Sequence, residues 1–159
     1  MKFTRLSLSL LLALLCTQFA VIAQDAPPSY GPAITLEQAK KVAAAAEADA
    51  RKNKWNVVIA VMDSGANLVL LQRMDDAQLG SIHIAQKKAY TAAALRRPTK
   101  VFEDGLTASV KALGIDQVIP VEGGLPIYVN GKIIGSIGVS GVTSQQDGLV
   151  AKAGAEALK

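Results

Sequence analysis

The centre of the chain carries an imidazole, an ammonium and a phenol at a spacing that suits one face of a helix. His83 is the only histidine, and an imidazole nitrogen is a common protein ligand of haem iron. Lys87 and Tyr90 follow it at four and seven residues, so a helix places all three groups on one side. One interpretation is that His83 ligates a metal. A hydrogen-bonded surface histidine is the alternative.

Two other segments carry groups that could bind an anion. The planar guanidinium of Arg73 suits bidentate contact with a ligand carboxylate, and a surface ion pair explains it equally well. Gly123 and Gly124 precede a predicted strand, where two exposed N–H groups could hold a carboxylate or a phosphate. A tight turn that needs positive φ is the alternative. Most of the basic residues along and after the central helix are predicted to form a solvated face: Lys87, Lys88, Arg96 and Arg97.

The first 23 residues have the pattern of a cleavable secretory signal peptide. Lys2 and Arg5 precede an apolar run at 6–15, and small or modest side chains end at Ala23. An uncleaved membrane anchor would need about 20 predominantly apolar residues. The predicted division of the chain is a signal peptide at 1–23, a Pro-rich linker at 24–33 and one domain at 34–159. A protein of this kind is periplasmic or secreted.

Loss of the signal peptide changes the charge and the available chemistry. The net charge falls from +4 to +2 with the loss of Lys2 and Arg5, and no basic cluster interleaved with aromatic residues remains, so nucleic acid is not a predicted partner. Cys16 is the only cysteine and leaves as well, which excludes cysteine nucleophiles and iron–sulfur clusters. A single histidine excludes zinc sites built from several imidazoles.

An enzyme acting on a small acid, or on a bound cofactor, would need a general acid or base. The sequence contains neither the G-x-S-x-G pattern of a nucleophile elbow nor the glycine-rich order of a phosphate loop. Asp75 or Asp76 is explained most simply as a helix cap. The carboxylates that could take a catalytic role are Asp63, Asp75, Glu122 and Asp147.

The periodicity predicts an α+β domain in which short hairpin strands form an antiparallel sheet covered by helices. Thr35 with Gln38, and Thr143 with Gln146, have the spacing of capping boxes, and Asn130-Gly131 is a strong hairpin signal. The predicted elements are helices at 36–52, 79–95, 99–113 and after Thr143, and strands at 57–62, 68–73, 126–129 and 132–140.

Several segments together resemble the GlcG/HbpS family of haem-binding proteins, which includes the C-terminal domain of PduO-type proteins. The resemblance covers essentially all of 34–158, and the order and spacing of its motifs are specific. The matching segments are Ile59-Ala60-Val61-Met62-Asp63-Ser64-Gly65, Arg73-Met74-Asp75-Asp76, Ala85-Gln86-Lys87-Lys88-Ala89-Tyr90-Thr91-Ala92, Glu122-Gly123-Gly124-Leu125-Pro126, and Ile134-Gly135-Ser136-Ile137-Gly138-Val139-Ser140-Gly141, with Asp147 and Ala151.

The resemblance implies a five-stranded antiparallel sheet flanked by helices, in the order α-β-β-α-α-β-β-β-α. It also implies haem as the cofactor, self-association into homo-oligomers, and, for exported relatives, haem capture or redox sensing alongside a membrane sensor kinase. We expect Arg73 or Lys87 near the haem propionates and His83 toward the iron, with Tyr90 as the substitute ligand. Two alternatives stay open, namely an enzyme that degrades haem or acts on a small acid, and an oligomeric interaction module without catalytic activity.

Overall fold

The computed structural model describes residues 27–159, so the predicted signal peptide lies outside the described residues. The elements that position the rest of the domain follow the predicted order closely. They are α1 (Leu36–Lys52), β1 (Val58–Asp63), β2 (Leu68–Arg73), α2 (Ser81–Leu95), α3 (Thr99–Gly105), a 3₁₀ helix (Val110–Gly114), β3 (Gly124–Val129), β4 (Lys132–Ser140) and α4 (Ser144–Ala155).

Within residues 27–159 the sheet has four strands in the order β2-β1-β4-β3, and every neighbouring pair is antiparallel. The α+β class is therefore confirmed, whereas the prediction of five strands is wrong. After β4 ends at Ser140, Thr143 already caps α4, which leaves no length for a third strand in this half of the chain. At the other end, Tyr30 forms only an isolated parallel bridge with Ile133.

Part of the segment predicted as a linker packs against the domain. The N–H of Gly31 donates to the carbonyl of Ile133, and the N–H of Ile133 donates to the carbonyl of Ser29. The Tyr30 hydroxyl donates to the carbonyl of Ala93 at 2.8 Å. Residues 29–31 therefore tie the sheet to the end of α2.

Both predicted capping boxes are confirmed. The Thr35 side chain accepts the N–H of Gln38 at the start of α1, and Thr143 accepts the N–H of Gln146 at the start of α4. Each cap satisfies a backbone donor that the first helical turn leaves without a partner. Asn130 and Gly131 have φ values of 51° and 73°, as a type I′ hairpin turn requires.

Two helices, α1 and α4, pack on one face of the sheet, and α2 packs on the other. Small residues of α1 and α4 pack on one face against Ile59, Ile137 and Val139. On the other face, Ala85 and Ala89 of α2 pack against β1. None of the helices among residues 27–159 has the length and apolar character needed to cross a membrane.

The helix predicted over 99–113 is interrupted. It ends at Gly105, and the chain resumes as the 3₁₀ helix only at Val110. Glycine is a poor helix former, and the apolar side chains expected to hold the second half are exposed, with Val110 at 68% and Leu113 at 62%. Because these side chains are not buried, no gain from apolar burial offsets the poor helix propensity of Gly105.

The turn between β1 and β2 is organised by Asp63. Its carboxylate accepts the N–H of Gly65 at 2.8 Å and the N–H of Asn67 at 2.9 Å. Burial raises the pKa of Asp63, but the hydrogen bonds from Asn67 and Gly65 outweigh it, so the pKa lies below its ordinary value. The ionised carboxylate therefore stabilises the fold above the pKa of the unfolded chain, about 3.9, and this stabilisation is lost as the pH falls through the lower folded pKa.

We expect Asp63→Ala to lower the free energy of unfolding by about 1 kcal/mol at pH 7, because hydrogen bonds in a partly hydrated turn contribute modestly. The loss should be smaller at pH 2 than at pH 7, because protonation removes the negative charge that these hydrogen bonds stabilise. Urea denaturation at the two pH values measures it. Asp75→Ala removes an exposed carboxylate in the next turn and serves as the control; an equal loss in both variants would exclude the proposed role of Asp63.

Candidate functional site

The predicted His83–Lys87–Tyr90 group lies along one side of α2. His83 and Lys87 are exposed, and Tyr90 is half-buried. At the C-terminal half of this side, Lys87 and Tyr90 line a shallow cleft of about 180 Å³ with Met62, Gln86 and Gln117. We call this the α2 cleft. His83 stands one helical turn before Lys87, so an imidazole, an ammonium and a phenol follow each other over about 10 Å of helix.

Contacts with the sheet hold α2 in this position. The Ser136 hydroxyl donates to the carbonyl of Ala89 at 2.7 Å, and the Ser140 hydroxyl bonds the Ser81 hydroxyl at 3.1 Å. Between them, Gly138 lies directly under Ala85 and Ala89. The missing side chain lets the helix backbone approach the strand closely. The groups on the outer side are therefore carried by a rigid element.

Arg73 lies at the other end of the helix. Its strand partner Val58 also pairs with Ser140, which touches Ser81 at the start of α2. Met62 of the α2 cleft pairs instead with Ser136, beneath the end of the helix. Arg73 is thus separated from Lys87 and Tyr90 by much of the helix length. Its role near a propionate remains a prediction.

Gly123 and Gly124 lie against the opposite side of α2, where β3 begins. Both are buried, and the N–H of Gly124 donates to the Thr99 hydroxyl at 2.9 Å. Gly123 has a φ of +121°, and a Cβ there would meet Lys88 Nζ at 2.8 Å. Positive φ and close packing, the alternative that the sequence left open, account for this pair. Its role in ligand binding remains a prediction.

A buried ion pair, Lys88–Asp147, joins α2 to α4. Lys88 Nζ donates to Asp147 Oδ2 at 2.8 Å and to the carbonyl of Val139 at 3.0 Å. The two side chains are 1% and 3% exposed. Burial raises the pKa of Asp147, while the Lys88 ammonium and the N–H of Val142 oppose that shift. The ion pair lies at the end of the sheet beside Gly123, where the absence of a side chain leaves room for Lys88 and Asp147.

For Lys88, the prediction of a solvated face is wrong. The signal was present in the sequence, because Lys88 follows Ala85 by three residues and therefore lies in the same helical stripe as the buried alanines. A lysine is seldom fully buried unless it is paired. The partner Asp147 is 59 residues away, and no local pattern points to it.

The candidate catalytic carboxylates are dispersed. Asp63 is used in its turn and Asp147 in the ion pair. Asp75 is exposed in a turn and does not cap α2, whose N-cap is Gly80 without a side-chain hydrogen bond. Glu122 lies 3.9 Å from Lys100 beside the glycine pair. No two of these four carboxylates are hydrogen-bonded to each other among residues 27–159, and the structure shows no acid–base pair formed from them.

Sequence reasoning missed Met62, Gln86 and Gln117 of the α2 cleft. Met62 is 6% exposed and belongs to a continuous apolar run in β1, which predicts only core packing. Gln117 lies in a loop whose path no periodicity determines. Gln86 could have been recognised as a cleft residue from its position between Ala85 and Lys87 on the predicted helix.

The residues of the α2 cleft fit the edge of an iron porphyrin. Met62 and Tyr90 offer apolar and aromatic contact, and the Lys87 ammonium suits a propionate. The phenol and thioether of the cleft, and the imidazole of His83 one turn away, are all known types of haem-iron ligand. Its volume of about 180 Å³ is below the roughly 300–1,000 Å³ of pockets that enclose a ligand. A porphyrin would therefore be only partly covered by one copy of the chain.

The molecule combines a helix-covered antiparallel sheet with a shallow cleft lined by an ammonium and a phenol, and an imidazole lies one helical turn away. These features define a small α+β binding domain. The chain belongs to the HbpS-like family, whose family model, described as "Haem degrading protein HbpS-like", matches residues 34–156. This match confirms the resemblance that the sequence motifs indicated.

Individual relatives support the same assignment. Protein GlcG of Escherichia coli K12 is 45% identical over 111 residues, which cover 67% of this chain and 81% of GlcG. The crystal structure of HbpS has a TM-score of 0.77 at 32% identity and covers 82% of this chain and 94% of HbpS. That of the PduOC–haem complex has a TM-score of 0.73 at 26% identity, with 80% and 96% covered.

Proposed function

We propose that this protein binds haem on the outer side of α2. The proposal rests on one observation. Lys87, Tyr90 and Met62 line the same cleft, and the exposed imidazole of His83 lies one helical turn away. A relative that shares the fold has been crystallised with haem. When bound, haem would supply its iron for ligand binding and redox chemistry.

Each side chain would have its own role in haem binding. His83 is the nitrogen donor that can reach outward to the iron, with Tyr90 as the substitute. Lys87 would pair with a propionate, while Met62 and Tyr90 would contact the edge of the ring. Arg73 stays a candidate for a propionate only if the ring extends along the helix toward its first turn.

Absorbance titration with hemin tests the proposal. We expect a saturable shift of the Soret band with the wild-type protein. His83→Ala should change the position of the band and weaken binding at least tenfold, since an iron ligand is lost. Lys40→Gln alters an exposed lysine on α1 and should match wild type. A normal Soret shift in His83→Ala would remove the ligand assignment, and no shift in wild type would refute haem binding.

The cellular role is a finer proposal. We infer that the protein is exported, that it captures haem or senses redox state, and that it forms homo-oligomers, with a membrane sensor kinase as the partner in the sensing case. Partial cover of the ring by one copy supports self-association, because a second copy could cover the remainder. Light scattering with and without hemin tests this; a monomer in both samples would contradict it.

Haem degradation is the second candidate, and the description of the matched family favours it. Incubation of the haem-loaded protein with a reductant under air should then release a biliverdin-like product and iron. Intact haem throughout would contradict degradation and leave binding as the function.

A further inference from the structure

A second groove runs along β3, which forms the opposite edge of the sheet from β2. It consists of two adjoining clefts of about 260 and 190 Å³, which share Pro98, Leu125 and Lys152. We call it the β3 groove. Each cleft alone is smaller than the roughly 300–1,000 Å³ that is typical of small-molecule sites, so a ligand of that size would extend along both.

In the larger of its two clefts, the walls of the β3 groove are mostly apolar. Pro98, Leu125, Pro126 and Ala155 line the 260 Å³ cleft. Pro126 has no N–H to donate, so the strand cannot extend a regular ladder to a peptide at this point. The groove is therefore better suited to an alkyl chain than to an added strand.

Two polar groups in this cleft are available to a ligand. Lys152 is exposed, and no carboxylate lies within 4.0 Å of its ammonium among residues 27–159, although Glu156 lines the same cleft and interacts with Lys152 electrostatically. The Tyr128 hydroxyl has no hydrogen-bond partner within the described part of the chain and lines the same cleft, and a phenol is a hydrogen-bond donor at neutral pH. By contrast, Lys159 is neutralised by Glu156 at 2.8 Å.

We propose that the β3 groove binds an amphipathic monocarboxylate, such as a fatty acid of medium length. The Lys152 ammonium and the Tyr128 hydroxyl hold the carboxylate, and the alkyl chain lies over Leu125 and Pro126 and against Pro98. Both residues line the same cleft, and a carboxylate that reached both groups would accept charge-assisted hydrogen bonds from them. This site is independent of the α2 cleft and uses none of its residues.

Decanoate below its micelle-forming concentration is the probe, added to the ¹⁵N-labelled protein without haem. We expect saturable shifts of amide signals at 125–128 and 152–156. Lys152→Gln should weaken binding about tenfold or more, and Tyr128→Phe about threefold to tenfold. Lys40→Gln should bind as wild type does. The neutral analogue 1-decanol should bind more weakly than decanoate.

Three results would overturn the proposal: no saturable shifts, shifts centred elsewhere on the protein, or equal affinity in wild type and Lys152→Gln. Because both variants keep exposed or half-buried side chains of similar size, loss of folding does not explain a loss of binding. The amide spectrum of each variant without ligand verifies this. Haem is absent from the experiment, so its outcome is separate from that of the hemin titration.

Discussion

Lys88→Met is expected to lower the free energy of unfolding by about 3–5 kcal/mol. The substitution keeps the length of the side chain but leaves the Asp147 carboxylate buried without its ammonium, and breaking one side of a buried ion pair costs about this much. Since a domain of this size is stable by about 5–15 kcal/mol in total, the variant should be close to unfolding at moderate temperature.

Urea denaturation of wild type and variant measures the effect. Lys87→Met is the matched control, because Lys87 is the adjacent residue on the same helix but is exposed, and it should change stability by less than about 0.5 kcal/mol. The double variant Lys88→Met/Asp147→Leu removes both charges and should recover much of the loss. If Lys88→Met and Lys87→Met had the same small effect, the buried pair would not stabilise the domain.

The pH dependence of Lys88→Met follows from the same pair. Burial already raises the pKa of Asp147, and without the ammonium that opposes it the pKa should rise further. A carboxyl that binds its proton more tightly in the folded state stabilises the fold below the unfolded pKa, about 3.9, and loses that stabilisation as the pH rises through the folded value. The difference from wild type should therefore be smaller at pH 4 than at pH 7.

Gly138→Ala is expected to cost at least about 2 kcal/mol, because a Cβ there would collide with the backbone of α2 at Ala85 and Ala89. Helix and sheet would have to separate, and the outer side of α2 would move with the helix. Gly80→Ala adds the same methyl group in open space at a φ of −59° and should be neutral or slightly stabilising.

Thermal unfolding monitored by circular dichroism compares the two glycine variants. We expect a clear fall in the melting temperature of Gly138→Ala and none in Gly80→Ala. Equal melting temperatures would mean that α2 does not depend on close approach to β4.

Local patterns in the sequence predicted most of the secondary structure. Thr35 and Thr143 cap the helices as expected, and Asn130-Gly131 forms the hairpin turn. These signals are local, so the chain around them is enough to determine the element. The predicted fifth strand came from the family resemblance alone, and the chain between Ser140 and Thr143 is too short to form it.

The candidate site was predictable only in part, because its members come from distant segments. Helical spacing was enough to place His83, Lys87 and Tyr90 on one side of α2. It could not show that Met62 lies beside them, since that contact depends on how β1 packs under the helix. Nor could it show that Lys88 meets Asp147 across the end of the sheet.

The most direct test of haem binding on α2 is the amide NMR spectrum of the ¹⁵N-labelled protein during titration with ferric haem. Paramagnetic iron broadens the signals of nearby amides, so we expect selective loss of signals from 83–90 and from Met62, while those of Tyr128 and Lys152 persist. Broadening confined to β3 and α4, or an unchanged spectrum with excess haem, would contradict it.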